Sequence, residues 1–241
     1  PISADIWEEI EDQAREVFRN TLTARQVVDI SGPHGFSYNA LPLGRLQVPA
    51  QESDVKYGIY QVMPLVEARV EFVLSRWELD NLARGARDPD LDPVIAAAQK
   101  LAAFEEALIY NGLPVSGVAG LLAEAAAVRK SGVPSEAEQF IACLANDIET
   151  LRAHGISGPY SLVINPQKWL NLVTQVKGYP LAKLINAYVT GKVILSPAVP
   201  GMIVLSVRGG DFELTLGQDL SIGYNSHDKE NIAFFITESL T

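Results

Sequence analysis

The chain has 241 residues, enough to bury a sizeable core in one large domain or two small ones. Apolar residues make up 48% and charged residues 20%, a globular balance that excludes disorder. Net charge is −10, from 29 acidic and 19 basic side chains. A duplex binder needs a basic face to release counterions, so nucleic acid is not expected as a partner.

The single cysteine, Cys143, rules out an intrachain disulfide and reads as a small buried side chain on a helix, which fits a reducing, cytosolic site. No apolar run approaches the roughly 18 residues of a membrane span, and no signal peptide is visible. The chain opens at Pro1 without methionine and stops at ITESLT, so both ends are expected to be trimmed.

Ser3 to about Leu22 predicts an amphipathic helix, N-capped by Ser3, with Ile6, Ile10, Ala14, Val17 and Phe18 on one face. Val27 to Gly44 is rich in turn formers and predicts irregular chain or a short strand. From Arg45 to Ser75 alternation predicts extended segments, with QESD as the tip of a long hairpin that must lie on something else. Ser75 with Glu78 predicts a capping box ahead of RWELDNLAR. Asp92 as N-cap and Pro93 at the first helical position predict an alanine-rich helix running to Gly112, long enough to be a spine. Ser135 with Glu138 predicts a second capping box, before a helix with the stripe Phe140, Ile141, Leu144, Ile148 and Leu151.

The last third alternates differently. YSLVIN, from Tyr160, reads as a buried strand and PQKWLNLVTQ as a helix; KVILSP, MIVLSV, FELTL, LSIGY and AFFIT read as five short strands. Within them GGDFELTLGQDLSIGY, Gly209 to Tyr224, predicts two strands joined at Gly217. The fold class is α+β, one compact body with an extended arm.

Chemistry-bearing patterns are sparse. His34, His154 and His227 each sit beside a turn signal and are not paired at metal-ligand spacing. No HExxH, CxxC, GxSxG, GxxxxGK[ST] or GxGxxG occurs, so no catalytic or metal residue is assigned. Glu105 and Glu106 diverge by about 100° on a helix, which makes no acid–base pair and predicts a solvated face; burial would instead make one of them a registry device. DPDLD, Asp88 to Asp92, lacks the glycine and closing glutamate of a calcium loop. Trp77 and Arg69 have two readings: an exposed pair clamping a flat ligand such as a flavin, or ordinary packing.

Five blocks in order carry a resemblance: ARQVVDISGPHGFSYNALPLG, MPLVEARVEFVLSRWELDNLARGARDPDLDP, FEEALIYNGLPVSGVAGLL, GISGPYSLVINPQKW and RGGDFELTLGQDLSIGY. Together they resemble the encapsulin shell proteins, once described as linocin-type bacteriocins, from end to end. The resemblance implies the HK97 phage-capsid fold, with a peripheral domain, an axial domain and an extended arm, the E-loop. It places residues 1–44 as N-terminal helix and turn region, 45–75 as arm and return strand, 76–157 as peripheral helices with a spine at 93–111, 158–200 as axial domain and 201–241 as peripheral strands.

The function it implies is structural: a non-enzymatic subunit of a closed icosahedral shell in the cytosol of bacteria or archaea, of the smallest (T=1) kind. Such shells enclose a cargo enzyme, a ferritin-like protein or a dye-decolorising peroxidase, held by its C-terminal targeting peptide. Iron or heme would enter only with the cargo, and the shell itself needs no cofactor beyond the flavin considered at Trp77 and Arg69. By position the resemblance assigns Phe18, Arg25, Asp29, Leu220 and Ile222 to the cargo peptide, and Lys177, Gly178 and Tyr179 to a loop lining the fivefold pore. Two rival readings stand beside it: a viral major capsid protein of the same fold, and a hydrolase or bacteriocin.

Overall fold

The computed structural model describes residues 2–49, 54–123, 132–175 and 181–241. In chain order its elements are α1 (Ala4–Thr21), β1 (Asp29–Ser31), β2 (Ala40–Gln47), β3 (Ile59–Pro64), β4 (Val66–Ser75), α2 (Arg76–Ala83) and α3 (Asp92–Asn111). Then follow β5 (Gly112–Leu113), β6 (Val118–Ala119), α4 (Ala137–Ala153), β7 (Tyr160–Ile164), α5 (Pro166–Val173) and α6 (Leu181–Ile185). The chain closes with β8 (Val193–Leu195), β9 (Met202–Ser206), β10 (Glu213–Thr215), β11 (Ser221–His227) and β12 (Asn231–Leu240).

The i, i+4 repeat of Ile6, Ile10, Ala14 and Phe18 becomes the buried stripe of α1. It packs on the first half of α3 and on the antiparallel sheet β11-β12-β4. In β4, Phe72 and Leu74 point into this core while Glu67, Arg69 and Glu71 point away, the period of two that a one-sided sheet demands. Strand β12 pairs with β4 over its whole length, from Asn231↔Ser75 to Leu240↔Val66. The rings of Phe72 and Phe234 stack at 5.3 Å, and Trp7 meets Phe234 edge-on at 5.5 Å. Each such buried side chain contributes about 2 kcal/mol by removal from water.

A second body is built on β7, whose five residues are all buried. It lies between β8, parallel, and β9, antiparallel. Phe140, Leu144 and Ile148 of α4, Leu172 of α5, and Leu181 and Ile185 of α6 complete its core. The segment drawn at 158–200 therefore extends both ways, because α4 and β9 share its core. The second half of α3 bridges the two bodies, with Leu108, Ile109 and Tyr110 packed among Val163, Ile203 and Leu214.

The arm is the antiparallel pair β2–β3, with Gly44 at φ 66° inside an irregular stretch of its register. None of its described residues is buried. Its expected tip, QESD, falls mainly on residues outside the described ones.

Several local expectations are corrected. Ser3, Ser75 and Glu136, which precede α1, α2 and α4, make no side-chain cap hydrogen bonds, so neither capping box forms, and Asp92 is the first residue of α3 rather than its cap, with Leu91 before it. Glu78 instead accepts from the backbone N–H of Asp90 at 3.1 Å, tying the loop after α2. The stretch Gly209 to Tyr224 is not a hairpin. Its first strand, β10, pairs in parallel with β1, while β11 joins β12 in another sheet. Gly217 sits where they part, since a Cβ there would stand 2.5 Å from the Ser239 hydroxyl.

Candidate docking groove and the charged cluster beneath it

A groove of about 510 Å³ runs between the last two turns of α1 and the start of β11. Ala14, Phe18 and Leu22 form one wall, Leu220 and Ile222 the other, and Arg25 and Asp219 lie at its polar end. Glu11, Arg15 and Arg19 stand on the rim. The geometry follows from the fold: α1 ends at Thr21, and a single 3-10 turn, Ala24–Gln26, drops the chain onto α3.

That turn is held by the two adjacent glutamates of α3. Expected on a solvated face, both are buried, and their divergence on the helix sends them to different partners. Glu105 receives Arg25 in a two-pronged contact, Nε at 2.7 Å and Nη2 at 2.8 Å. Glu106 accepts from the Ala24 backbone N–H at 2.7 Å, from the Thr23 hydroxyl, and from Ser196 Oγ at 3.2 Å. Thr23 Oγ1 also lies 3.2 Å from the Tyr110 hydroxyl.

Arg25 serves three acids at once. Its Nη2 also donates to Asp219 Oδ1 at 2.9 Å and lies 3.6 Å from Glu238 Oε2. Burial pulls the guanidinium down, but Glu105 and Asp219 outweigh it and hold Arg25 above its ordinary range. Glu238, from β12, has a side chain 0% exposed. Burial, then the negative charge and hydrogen bond of Glu105, push its carboxyl up to about 9. Glu106 is also raised by burial, against the lowering from the Ala24 N–H and the Thr23 hydroxyl. Burial pushes Tyr110 up to about 12.

Of the five positions assigned to a peptide, Phe18, Arg25, Leu220 and Ile222 line this one groove. Asp29 does not. It is exposed on β1, where its carboxylate accepts from the Gly210 N–H at 2.5 Å, because β1 carries the chain off to pair with β10. Lys177, Gly178 and Tyr179 lie outside the described residues.

Trp77 is 69% exposed, but Arg69 is not its partner. The Arg69 guanidinium lies over Phe235, 4.2 Å from the ring centre, and pairs with Glu67 at 3.0 Å. Six residues of extended strand separate it from Ser75, about 20 Å, so the two residues do not form one clamp. His34 contacts Ser31, His154 the Thr150 carbonyl and His227 the Tyr224 hydroxyl.

Sequence reasoning missed Asp219, Glu238 and the burial of the glutamates. A signal existed for Glu105: it falls four residues after Leu101 and four before Ile109, on the apolar stripe. Glu238 has no such mark.

A family model for the encapsulating protein for peroxidase matches residues 1–241. A Type 1 encapsulin shell protein of Rhodospirillum rubrum is 39% identical over 250 residues, covering 100% of this chain and 89% of that protein. One of Mycobacterium tuberculosis is 36% identical over 243 residues, covering 100% and 91%. Among solved structures, the virus-like particle from Pyrococcus furiosus aligns with a TM-score of 0.70 at 15% identity, covering 97% of this chain and 93% of that one. The capsid of Myoviridae phage XM1 aligns at 0.54 and 13% identity, covering 91% and 86%.

The sheet, spine helix, second body and arm are those of the HK97-like capsid fold, which sets the class of the protein. Within that class the chain belongs to the family of encapsulating shell proteins, and its work is structural, not enzymatic.

Proposed function

We propose that copies of this chain close into a small icosahedral shell in the cytosol, and that the groove beside α1 seats the C-terminal tail of an enclosed enzyme. A ferritin-like protein or a peroxidase is the expected cargo, and iron or heme belongs to it. The observation that carries the docking reading is the convergence of Phe18, Leu220 and Ile222 on one open groove ending in Arg25 and Asp219. A short tail in such a groove gains affinity from apolar anchors and orientation from a few polar contacts. Repeated sites on one inner wall add effective concentration. Self-assembly is supported by the arm, whose Tyr60 is 79% exposed.

Electron microscopy of the purified chain tests the shell, with uniform hollow particles expected. Fluorescence titration of a labelled cargo-tail peptide tests the groove. Leu220→Asp places a carboxylate on the apolar wall and should weaken capture by tenfold or more, as about 1.4 kcal/mol per decade requires. Unchanged affinity in an intact Leu220→Asp shell would move the docking site elsewhere.

A further inference from the structure

Beneath the groove, one guanidinium faces more carboxylates than it can neutralise. Glu105 and Asp219 already hydrogen-bond Arg25, and Glu238 stands behind them at 3.6 Å. Both Glu238 oxygens are buried with no hydrogen-bond partner among the described residues, if every acid is drawn as a carboxylate. Strand β4 sets Ala68 opposite Glu238 and supplies no charge there. The charged groups facing it are therefore Glu105 from α3, Arg25 from the turn after α1, and Asp219 from the loop before β11. Glu105 and Glu238 are both fully buried beside one guanidinium while Asp219 is partly open to the groove, so if both buried acids were ionised the interior would hold an uncompensated negative charge, which is strongly unfavourable. A proton removes the conflict: a neutral Glu238 carboxyl donates to Glu105 while the other Glu105 contacts stay on Arg25.

We propose that Glu238 stays protonated beneath the groove and donates to Glu105, and that removing this proton loosens the Arg25 turn from α3, making the groove floor a pH-sensitive latch. Ionised Glu238 competes with Glu105 for the same guanidinium and draws water to the cluster through the groove, the nearest opening. The Ala24–Gln26 turn, held to α3 by Glu105 and Glu106, is the element that yields. The sign of the linkage is fixed. The folded state keeps a proton that the unfolded chain releases near 4.5, so stability falls as pH rises from 4.5 and is lost progressively up to about 9. Across that window each pH unit lowers the folded-to-unfolded ratio by up to about tenfold.

The proposal goes beyond the docking reading and is tested without any peptide. Infrared difference spectra of the intact assembly, wild type minus Glu238→Gln, should show at neutral pH the carbonyl band of a neutral carboxylic acid, lost in the variant. Thermal unfolding followed by tryptophan fluorescence should give matching midpoints near pH 4.5, with Glu238→Gln higher by about 10 °C near pH 8.5. Amide exchange at residues 23–26, corrected for the intrinsic rate, should rise about tenfold above pH 9 in the wild type and stay flat in the variant. A missing acid band, or parallel midpoint curves, overturns the proposal. If Glu238→Gln does not fold, Asp219→Asn serves: it removes a charge that raises Glu238 and should move the exchange onset to lower pH. An onset that stays put, or moves up, overturns the latch as surely.

Discussion

The two halves of α3 bury similar faces by opposite means. The first half presents Val94, Ala98 and Leu101 to α1 and the sheet, and its contacts are apolar. The second half presents Glu105, Glu106 and Tyr110, which reach the N-terminal turn through hydrogen bonds and an ion pair. Apolar packing is tolerant of small shifts and indifferent to pH. The polar half fixes one register for the chain after α1, and it exposes that register to titration. The groove sits where the two halves meet, so its apolar walls belong to one regime and its floor to the other.

Breaking the polar half should cost most. Glu105→Ala leaves Arg25 buried beside no two-pronged partner and should destabilise by about 4 kcal/mol, measured by denaturant unfolding. Leu101→Ala, in the apolar half, should cost about 3 kcal/mol through lost burial and a cavity, and this loss should be the same at acid and alkaline pH. Should both losses prove equally flat with pH, the contrast between the halves fails. Thr23→Val removes a hydroxyl that bonds Glu106 and should cost about 1–2 kcal/mol. Because that hydroxyl lowers a carboxyl already raised by burial, its removal raises Glu106 further. The deficit of Thr23→Val should therefore widen as pH rises above 4.5, which a pair of melts at acid and neutral pH will read.

The apolar regime was legible and the polar one was not. The α1 stripe, the length of α3 and the buried strand at Tyr160 follow from local periodicity, which needs no knowledge of distant chain. Ser3 and Ser75 have the residue type of a cap but not its bond, because a cap residue bonds only if its rotamer meets an open N–H, and at Asp90 the loop's own N–H takes Glu78 instead. At Asn165 the same rule works, its side chain accepting from the Gln167 N–H at 3.0 Å. Glu238 lies in a strand whose neighbours give no warning. Its meaning comes from Arg25, Glu105 and Asp219, which only β12 pairing and the turn after α1 bring together. The split of Gly209 to Tyr224 between two sheets had the same cause: β1, the partner of β10, lies at the other end of the chain.

The arm sharpens the comparison from outside, since it belongs to neither regime. Leu46, Ile59, Tyr60 and Val62 are exposed on a two-stranded hairpin, and such a hairpin has little stability of its own. An apolar face without a core contributes nothing to the subunit that carries it until another surface covers it. Tyr60→Lys should therefore leave subunit unfolding within about 0.5 kcal/mol of wild type, the smallest of these effects. Its consequence should appear in assembly, because a lysine buried against a neighbouring subunit strands a charge. Native mass spectrometry should find the variant as free subunits or small oligomers under conditions where the wild type gives closed particles. If Tyr60→Lys assembles like the wild type, the arm's apolar face is not what joins the subunits, and the contacts must be sought on the sheet face that carries Arg69 and Phe235.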